Sequence, residues 1–112
     1  MSRKHKHPKV KSMLGAIVDM SFKDFEEELK RQQVNIGTIN NLILHLESVY
    51  ADLRIRKDGI ITLVAKGEYS KDDPQITSSL KGLYVEMIKV EQKITYLKQR
   101  QKELIHVGVE NE

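Results

Sequence analysis

The sequence predicts an all-α fold, a three-helix bundle built on a long antiparallel helical hairpin of coiled-coil type. Apolar residues recur at spacings of three and four along two long segments, which is the spacing of one helix face. A connection of about six residues joins these segments, and such short links favour antiparallel neighbours. The chain has 112 residues with two Phe, four Tyr and no Trp, so aliphatic side chains must form the core of one domain.

We divide the chain at residue 20. Residues 1–20 hold a flexible basic N-terminal arm followed by a short apolar segment, and residues 21–112 form the helical domain. For residues 12–20 two alternatives stay open, a helical turn or an extended stretch laid on the bundle. Gly15 and the β-branched pair Ile17–Val18 make the choice ambiguous.

The first helix is predicted over residues 22–33. Ser21 is its expected N-cap, and acidic residues follow in the first turns, where they complement the positive end of the helix dipole. Phe22, Phe25 and Leu29 share one face. A helix this short is not stable alone, so that face must be buried against the hairpin.

The second helix is predicted over residues 36–66, with Asn35 as its N-cap and Gly67 as its C-cap. Arg56 occupies one position of its apolar stripe. The other members of the stripe are Ile39, Leu42, Leu46, Val49, Leu53, Ile60 and Leu63.

Asp58-Gly59 offers an alternative, because this dipeptide is a hairpin signal and residues 60–64 could follow it as a strand. We favour one continuous helix, since the apolar stripe resumes in phase after Gly59 and a turn would have no reason to preserve that phase.

The third helix is predicted over residues 74–106 and begins with Asp73 followed by Pro74, a strong helix start. Its apolar positions alternate in spacing between four and three, which is the heptad signature of a coiled-coil seam. They are Ile76, Leu80, Leu83, Met87, Val90, Ile94, Leu97 and Leu104, with Gln101 at one position.

A turn centred near residue 70 predicts the register of the hairpin, because the numbers of facing residues should then add to about 140. Leu53 faces Met87 under this rule, and apolar residues meet along the whole length. Gly59 falls nearly opposite Gly82, which predicts a close approach of the two backbones or a notch that receives another side chain.

The net charge of +3 is unevenly distributed. The first eleven residues contain five Lys or Arg side chains and no acid, an asymmetry that often marks a tail contacting a polyanion. A solubilising, disordered terminus is the alternative. The residues expected to bind nucleic acid or an acidic protein partner are Arg3, Lys4, Lys6, Lys9 and Lys11.

The sequence shows no motif for catalysis, and we expect no enzymatic activity, no cofactor and no metal site. Cysteine is absent, which excludes thiolate sites and is compatible with a reducing cytoplasm. The histidines have no carboxylate placed beside them by spacing: His5, His7, His45 and His106. No apolar run approaches the roughly 20 residues that cross a bilayer, so we expect a cytoplasmic protein without a membrane partner.

These features favour a noncatalytic protein–protein interaction or oligomerisation module, of the kind common among small bacterial and phage accessory proteins. The surface predicted to bind a partner or a second copy consists of apolar residues beside the seam: Ile43, Tyr50, Ile61, Tyr84 and Ile88. The apolar segment 13–20 folding over this surface is one alternative. Nonspecific nucleic-acid binding, through phosphate contacts of the arm, is the alternative function.

Overall fold

A computed structural model describes the backbone of residues 16–110 and the side chains of residues 16–105. Three α-helices follow a helical turn at residues 16–19: α1 (Phe22–Gln32), α2 (Ile36–Ala65) and α3 (Pro74–Glu110). The described residues contain no strand. The all-α prediction is therefore confirmed, and α2 continues through Gly59.

The predicted helix starts are also confirmed, because each has a side-chain oxygen that accepts an otherwise unpaired backbone N–H. The oxygens of Ser21, Asn35 and Asp73 accept the N–H groups of Asp24, Thr38 and Gln75 at 3.1, 2.8 and 2.8 Å. Pro74 follows at the first position of α3, where its missing N–H costs no hydrogen bond.

Gly67 terminates α2 as predicted. Its φ of 80° lies in the left-handed region, which glycine adopts without steric cost. The N–H of Glu68 then donates to the carbonyl of Leu63, and the N–H of Gly67 donates to the carbonyl of Val64, both at 3.0 Å. These two bonds form a Schellman motif that satisfies carbonyls at the helix end.

The packing of α2 against α3 is antiparallel, in the predicted register. Asn40 accepts a hydrogen bond from Gln101 at 2.6 Å, and the Lys57 ammonium lies 5.9 Å from the centroid of the Tyr84 ring. The residue numbers of each pair add to 141, one more than the rule for a turn at residue 70 requires. Side chains at both levels therefore meet where the sequence places them.

The core lies in the half of the hairpin that is remote from the 66–73 loop. There α1 and the turn at 16–19 add a third layer, and Ile17 is only 1% exposed. Of the two forms considered for the segment before α1, its described part thus adopts the helical turn. The connected cluster of buried apolar residues consists of Ile17, Phe25, Leu29, Ile39, Leu42, Ile43, Leu46, Val90 and Leu97.

The half near the loop has no third layer among the described residues. Two helices cover each other's seam on one side only, so most seam residues here are half-buried: Leu53, Ile60, Leu63, Ile76, Leu80 and Leu83. Met87, near the middle of the hairpin, is the exception, with 8% exposure. Because burial is less complete near the loop, apolar side chains remain exposed in this half of the hairpin.

The assignment of Arg56 to the seam is wrong. Its side chain is 64% exposed and pairs with Asp52 on its own helix at 2.9 Å. Lys57 takes the position instead, with 20% of its side chain exposed. The reason is geometric: an α-helix has 3.6 residues per turn, so its buried face drifts from a strict heptad, and four residues after Leu53 falls closer to the seam than three.

The expected close approach at Gly59 and Gly82 is also wrong. A Cβ atom built on either glycine has no neighbouring atom within 4 Å, beyond the helix's own backbone. Both residues lie on exposed surface. Neither glycine is required by packing.

Replacing these glycines by alanine should therefore stabilise the protein. Glycine in a helix interior costs about 1 kcal/mol relative to alanine, so Gly59→Ala and Gly82→Ala should each raise the free energy of unfolding by about that amount. Urea unfolding followed by circular dichroism measures the change. Gly67→Ala is the matched control and should destabilise, because its φ is positive; a loss of stability at residue 59 or 82 would contradict the open space found there.

Candidate interaction surfaces

The structure describes one of the two predicted sets of binding residues. The five cations of the arm, Arg3, Lys4, Lys6, Lys9 and Lys11, lie outside the described residues. The five apolar residues predicted beside the seam all lie within them.

Of these five, one is buried, one is half-buried and three are exposed. Ile43 is 6% exposed and belongs to the core, because it follows Ile39 by one helical turn on the same face, so it offers no surface to a partner. Tyr50 is half-buried and packs against the core. The other three are 43%, 45% and 55% exposed in the order Ile61, Tyr84 and Ile88; we call them the hairpin patch.

Lys57 joins the two helices at the hairpin patch. Its ammonium lies 5.9 Å from the centroid of the Tyr84 ring and 3.3 Å from Oδ1 of Asp58. Ile61 is one turn after Lys57 on α2, and Ile88 is one turn after Tyr84 on α3, so the three apolar side chains lie on the same side of the hairpin. A cation over an aromatic face contributes about 0.5–1 kcal/mol at such exposed sites.

An acidic groove of about 320 Å³ adjoins the hairpin patch, lined by Glu47, Tyr50, Glu91 and Ile94. Tyr50 and Ile94 contribute apolar surface, and Glu47 and Glu91 contribute carboxylates. Glu91 follows Ile88 by one turn of α3, so the groove and the patch form one continuous surface.

On the other side of α3, the structure buries a lysine. Lys93 is 1% exposed, and its ammonium donates to three backbone carbonyls: Ile17 at 2.6 Å, Val18 at 3.1 Å and Met20 at 2.7 Å. It also lies 5.9 Å from the centroid of the Phe25 ring. An ammonium has three donors, so this arrangement uses all of them.

The carbonyls explain why a cation is tolerated there. They lie at the end of the turn at 16–19, where a helix has unpaired carbonyls and partial negative charge. Burial lowers the pKa of Lys93 from its ordinary value of 10.5; Glu86 opposes this shift, Lys89 adds to it, and Asp19 opposes it. The bonds to the carbonyls of residues 17, 18 and 20 attach the segment before α1 to α3.

Lys93 has no role among the sequence-based predictions. A signal was present: Lys93 is three residues after Val90 and four before Leu97, on a face that widens the seam. Charge alone gave no indication that carbonyls from residues 17–20 would meet it.

Three aromatic rings cluster beside Lys93. Phe22 and Phe25 of α1 meet the ring of Tyr96 edge-on, with centroids 5.7 and 5.8 Å apart. Phe22 remains 38% exposed. With Tyr96 it borders a shallow groove of about 620 Å³ whose other lining residues are polar: Glu91, Gln92, Thr95 and Gln99.

In the part of the chain that is described, no group of three or more His, Asp or Glu side chains is placed to hold a metal ion. His45 is half-buried on α2, while the side chain of His106 lies outside the described ones. None of the helices between residues 16 and 110 is long and apolar enough to span a membrane.

Removal of the Lys93 ammonium should loosen the segment before α1. Lys93→Met keeps an unbranched apolar stem but leaves three carbonyls without this donor, and we expect a loss of about 2–3 kcal/mol in the free energy of unfolding. Urea unfolding measures the loss, and hydrogen exchange should show reduced protection of the Met20 amide, which donates to the carbonyl of Ala16 at 3.1 Å.

The matched control is Lys89→Met, one turn earlier on α3. Lys89 is exposed and pairs with Glu86 at 3.6 Å, so its substitution should change stability by less than about 0.5 kcal/mol. Equal stability of the two methionine variants would show that the Lys93 bonds contribute nothing.

Comparisons of the chain with protein-family models, with curated proteins and with solved structures each found no match. The functional interpretation therefore rests on the geometry of the chain itself.

Proposed function

We propose that the protein is a noncatalytic interaction module in which the hairpin is a rigid support and the hairpin patch binds a protein partner or a second copy. The observation that carries this proposal is the exposure of Ile61, Tyr84 and Ile88 on one side of the half near the loop. Contiguous apolar surface of this kind is typical of protein–protein contact sites.

The hairpin favours a helical partner. Its half near the loop is a two-helix pair with a half-buried seam, so a helix laid on the patch would provide the layer that α1 provides at the other end. Tyrosine is enriched in interfaces because it combines a large apolar ring with a polar hydroxyl. The position of Tyr84 where α2 and α3 meet supports such a role.

The arm adds an electrostatic component to this proposal. Five cations within eleven residues attract an acidic partner surface and increase the rate of encounter. A reducing compartment suits a chain without cysteine, and we include a cytoplasmic location in the proposal.

The double substitution Tyr84→Lys with Ile88→Lys tests the patch. It should abolish self-association in sedimentation equilibrium at micromolar concentration, or the capture of a partner from a lysate of the native cell, while circular dichroism shows unchanged helicity. Burial of lysine charge in an apolar contact is the physical reason.

Leu44→Lys with Ile55→Lys is the matched control, because these residues are 65% and 69% exposed and lie on the outer face of α2. It should leave association intact. If the patch variant associates and captures partners as the unaltered protein does, the hairpin patch is not the binding surface.

Nucleic-acid binding is a second candidate, favoured by the run of Lys and Arg without any acid in residues 1–11. Aromatic residues are absent from that run, so contacts to phosphates rather than bases are expected.

Removal of residues 2–11 tests this candidate. If all five cations contact phosphates of duplex DNA, the logarithm of the affinity should fall with the logarithm of salt concentration with a slope of about −4.5. The truncated protein should lose binding. Equal affinity and an equal salt slope after truncation would exclude the arm as the binding element.

A further inference from the structure

We propose that the partner of the hairpin patch is a second copy of this chain, docked antiparallel through one face of α3. This inference rests on the proposed function and names its partner. The face consists of six exposed residues at alternating spacings of four and three, which we call the outer stripe: Thr77, Lys81, Tyr84, Ile88, Glu91 and Thr95.

The outer stripe is complementary to itself when it is reversed. In an antiparallel pair whose facing numbers add to 172, Tyr84 meets Ile88 of the second copy, and Lys81 meets Glu91 of the second copy. Thr77 meets Thr95 at the ends. Each contact occurs twice about a two-fold axis at the level of residue 86, which is the requirement for a closed, isologous dimer.

The charges of Lys81 and Glu91 favour an antiparallel pair over a parallel one. A parallel pair in register would place Lys81 against Lys81 and Glu91 against Glu91, so both charged levels would repel. The antiparallel pair brings opposite charges together at both levels. Neither Lys81 nor Glu91 forms an ion pair with any described residue, so both side chains are available.

The acidic groove is the place where the incoming lysine would bind. This groove has a volume of about 320 Å³. Glu91 and Glu47 line it with carboxylates, and Tyr50 and Ile94 line it with apolar surface. The aliphatic stem of Lys81 from the second copy would cover the apolar lining, and its ammonium would reach the carboxylates. Part of the Glu47 charge is already balanced by a lysine of α3, Lys98, at 3.2 Å.

Tyr84 is positioned to pack against Ile88 of the second copy at the centre of the interface. The ammonium of Lys57 lies over the Tyr84 ring from α2, and the ring remains 45% exposed. Ile88 of the second copy would pack on that exposed part. Ile61, at the α2 edge of the same patch, would be covered at the border of the interface.

The outer stripe would form a small dimer interface. The outer stripe spans about 27 Å at 1.5 Å per residue, with two apolar residues from each copy at its centre. That is small compared with an obligate dimer, so the association should be reversible and should depend on concentration in the micromolar range.

A charge exchange tests the pairing. In sedimentation equilibrium of the full chain, Lys81→Glu alone and Glu91→Lys alone should each weaken dimerisation about tenfold or more, because each places like charges together twice. The double variant Lys81→Glu with Glu91→Lys should restore it. Mixing the two single variants should give heterodimers, since the two carboxylates on the stripe of one chain would then face the two ammonium groups on the stripe of the other.

Lys89→Glu is the matched control, since it reverses an exposed charge on the same helix outside the outer stripe; it should leave dimerisation unchanged. Dimerisation of all variants with equal strength would overturn the proposed pairing. A strict monomer at about 100 µM, well above the expected dissociation constant, would overturn the second copy as partner. The proposed function, by contrast, fails only if the hairpin patch also captures no other protein.

Discussion

The packing of α2 against α3 is the interaction on which the rest of the structure depends. The burial of the residues in this seam decreases toward the 66–73 loop. Two helices shield a seam residue from one side each, so most seam residues are completely buried only where a third element is added. Leu42, Leu46, Val90 and Leu97 are completely buried in the half of the hairpin where α1 and the turn at 16–19 add that layer. At about 25 cal/mol per Å² of buried apolar surface, this end of the hairpin stabilises the fold most. The end near the loop contributes less, and its apolar residues remain available to another molecule.

Two lysines in or beside this seam show how a charge is accommodated at different depths. Lys93 is fully buried and must satisfy all three donors within the protein, which it does on the carbonyls of residues 17, 18 and 20. Lys57 is only partly buried, and its ammonium stays near the surface between Asp58 and the Tyr84 ring. The buried lysine therefore fixes a segment distant in sequence, whereas the partly buried one orders a surface that is open to a partner.

Much of this fold could be predicted from the sequence, because local signals and the two-helix register agree with each other. The caps at Ser21, Asn35 and Gly67 depend on local residue types, and the facing numbers follow from the position of the turn near residue 70. The wrong or missing predictions concern features that depend on helix geometry and tertiary contacts. A strict heptad assigned Arg56 to the seam, although the true helical period turns the next residue toward it. The role of Lys93 depends on carbonyls more than 70 residues away, which no local pattern encodes. The sequence pattern identified apolar residues beside the seam, but it could not predict that Ile43 would be buried and that Tyr50 would be half-buried.

The geometry of α3 also separates the Lys93 bonds from the outer stripe. At about 100° per residue, Lys93 is turned by roughly 140° around the helix from Ile88, so the segment attached by Lys93 and the outer stripe occupy different faces. Ala16, the first described residue, is exposed, and a second copy bound as proposed would lie on the face of α3 away from the Lys93 bonds. A dimer would then present two sets of five cations to one acidic partner, and the second set would bind at the effective concentration set by the first. Weak contacts in the arm could produce useful affinity in this way only when the hairpins associate.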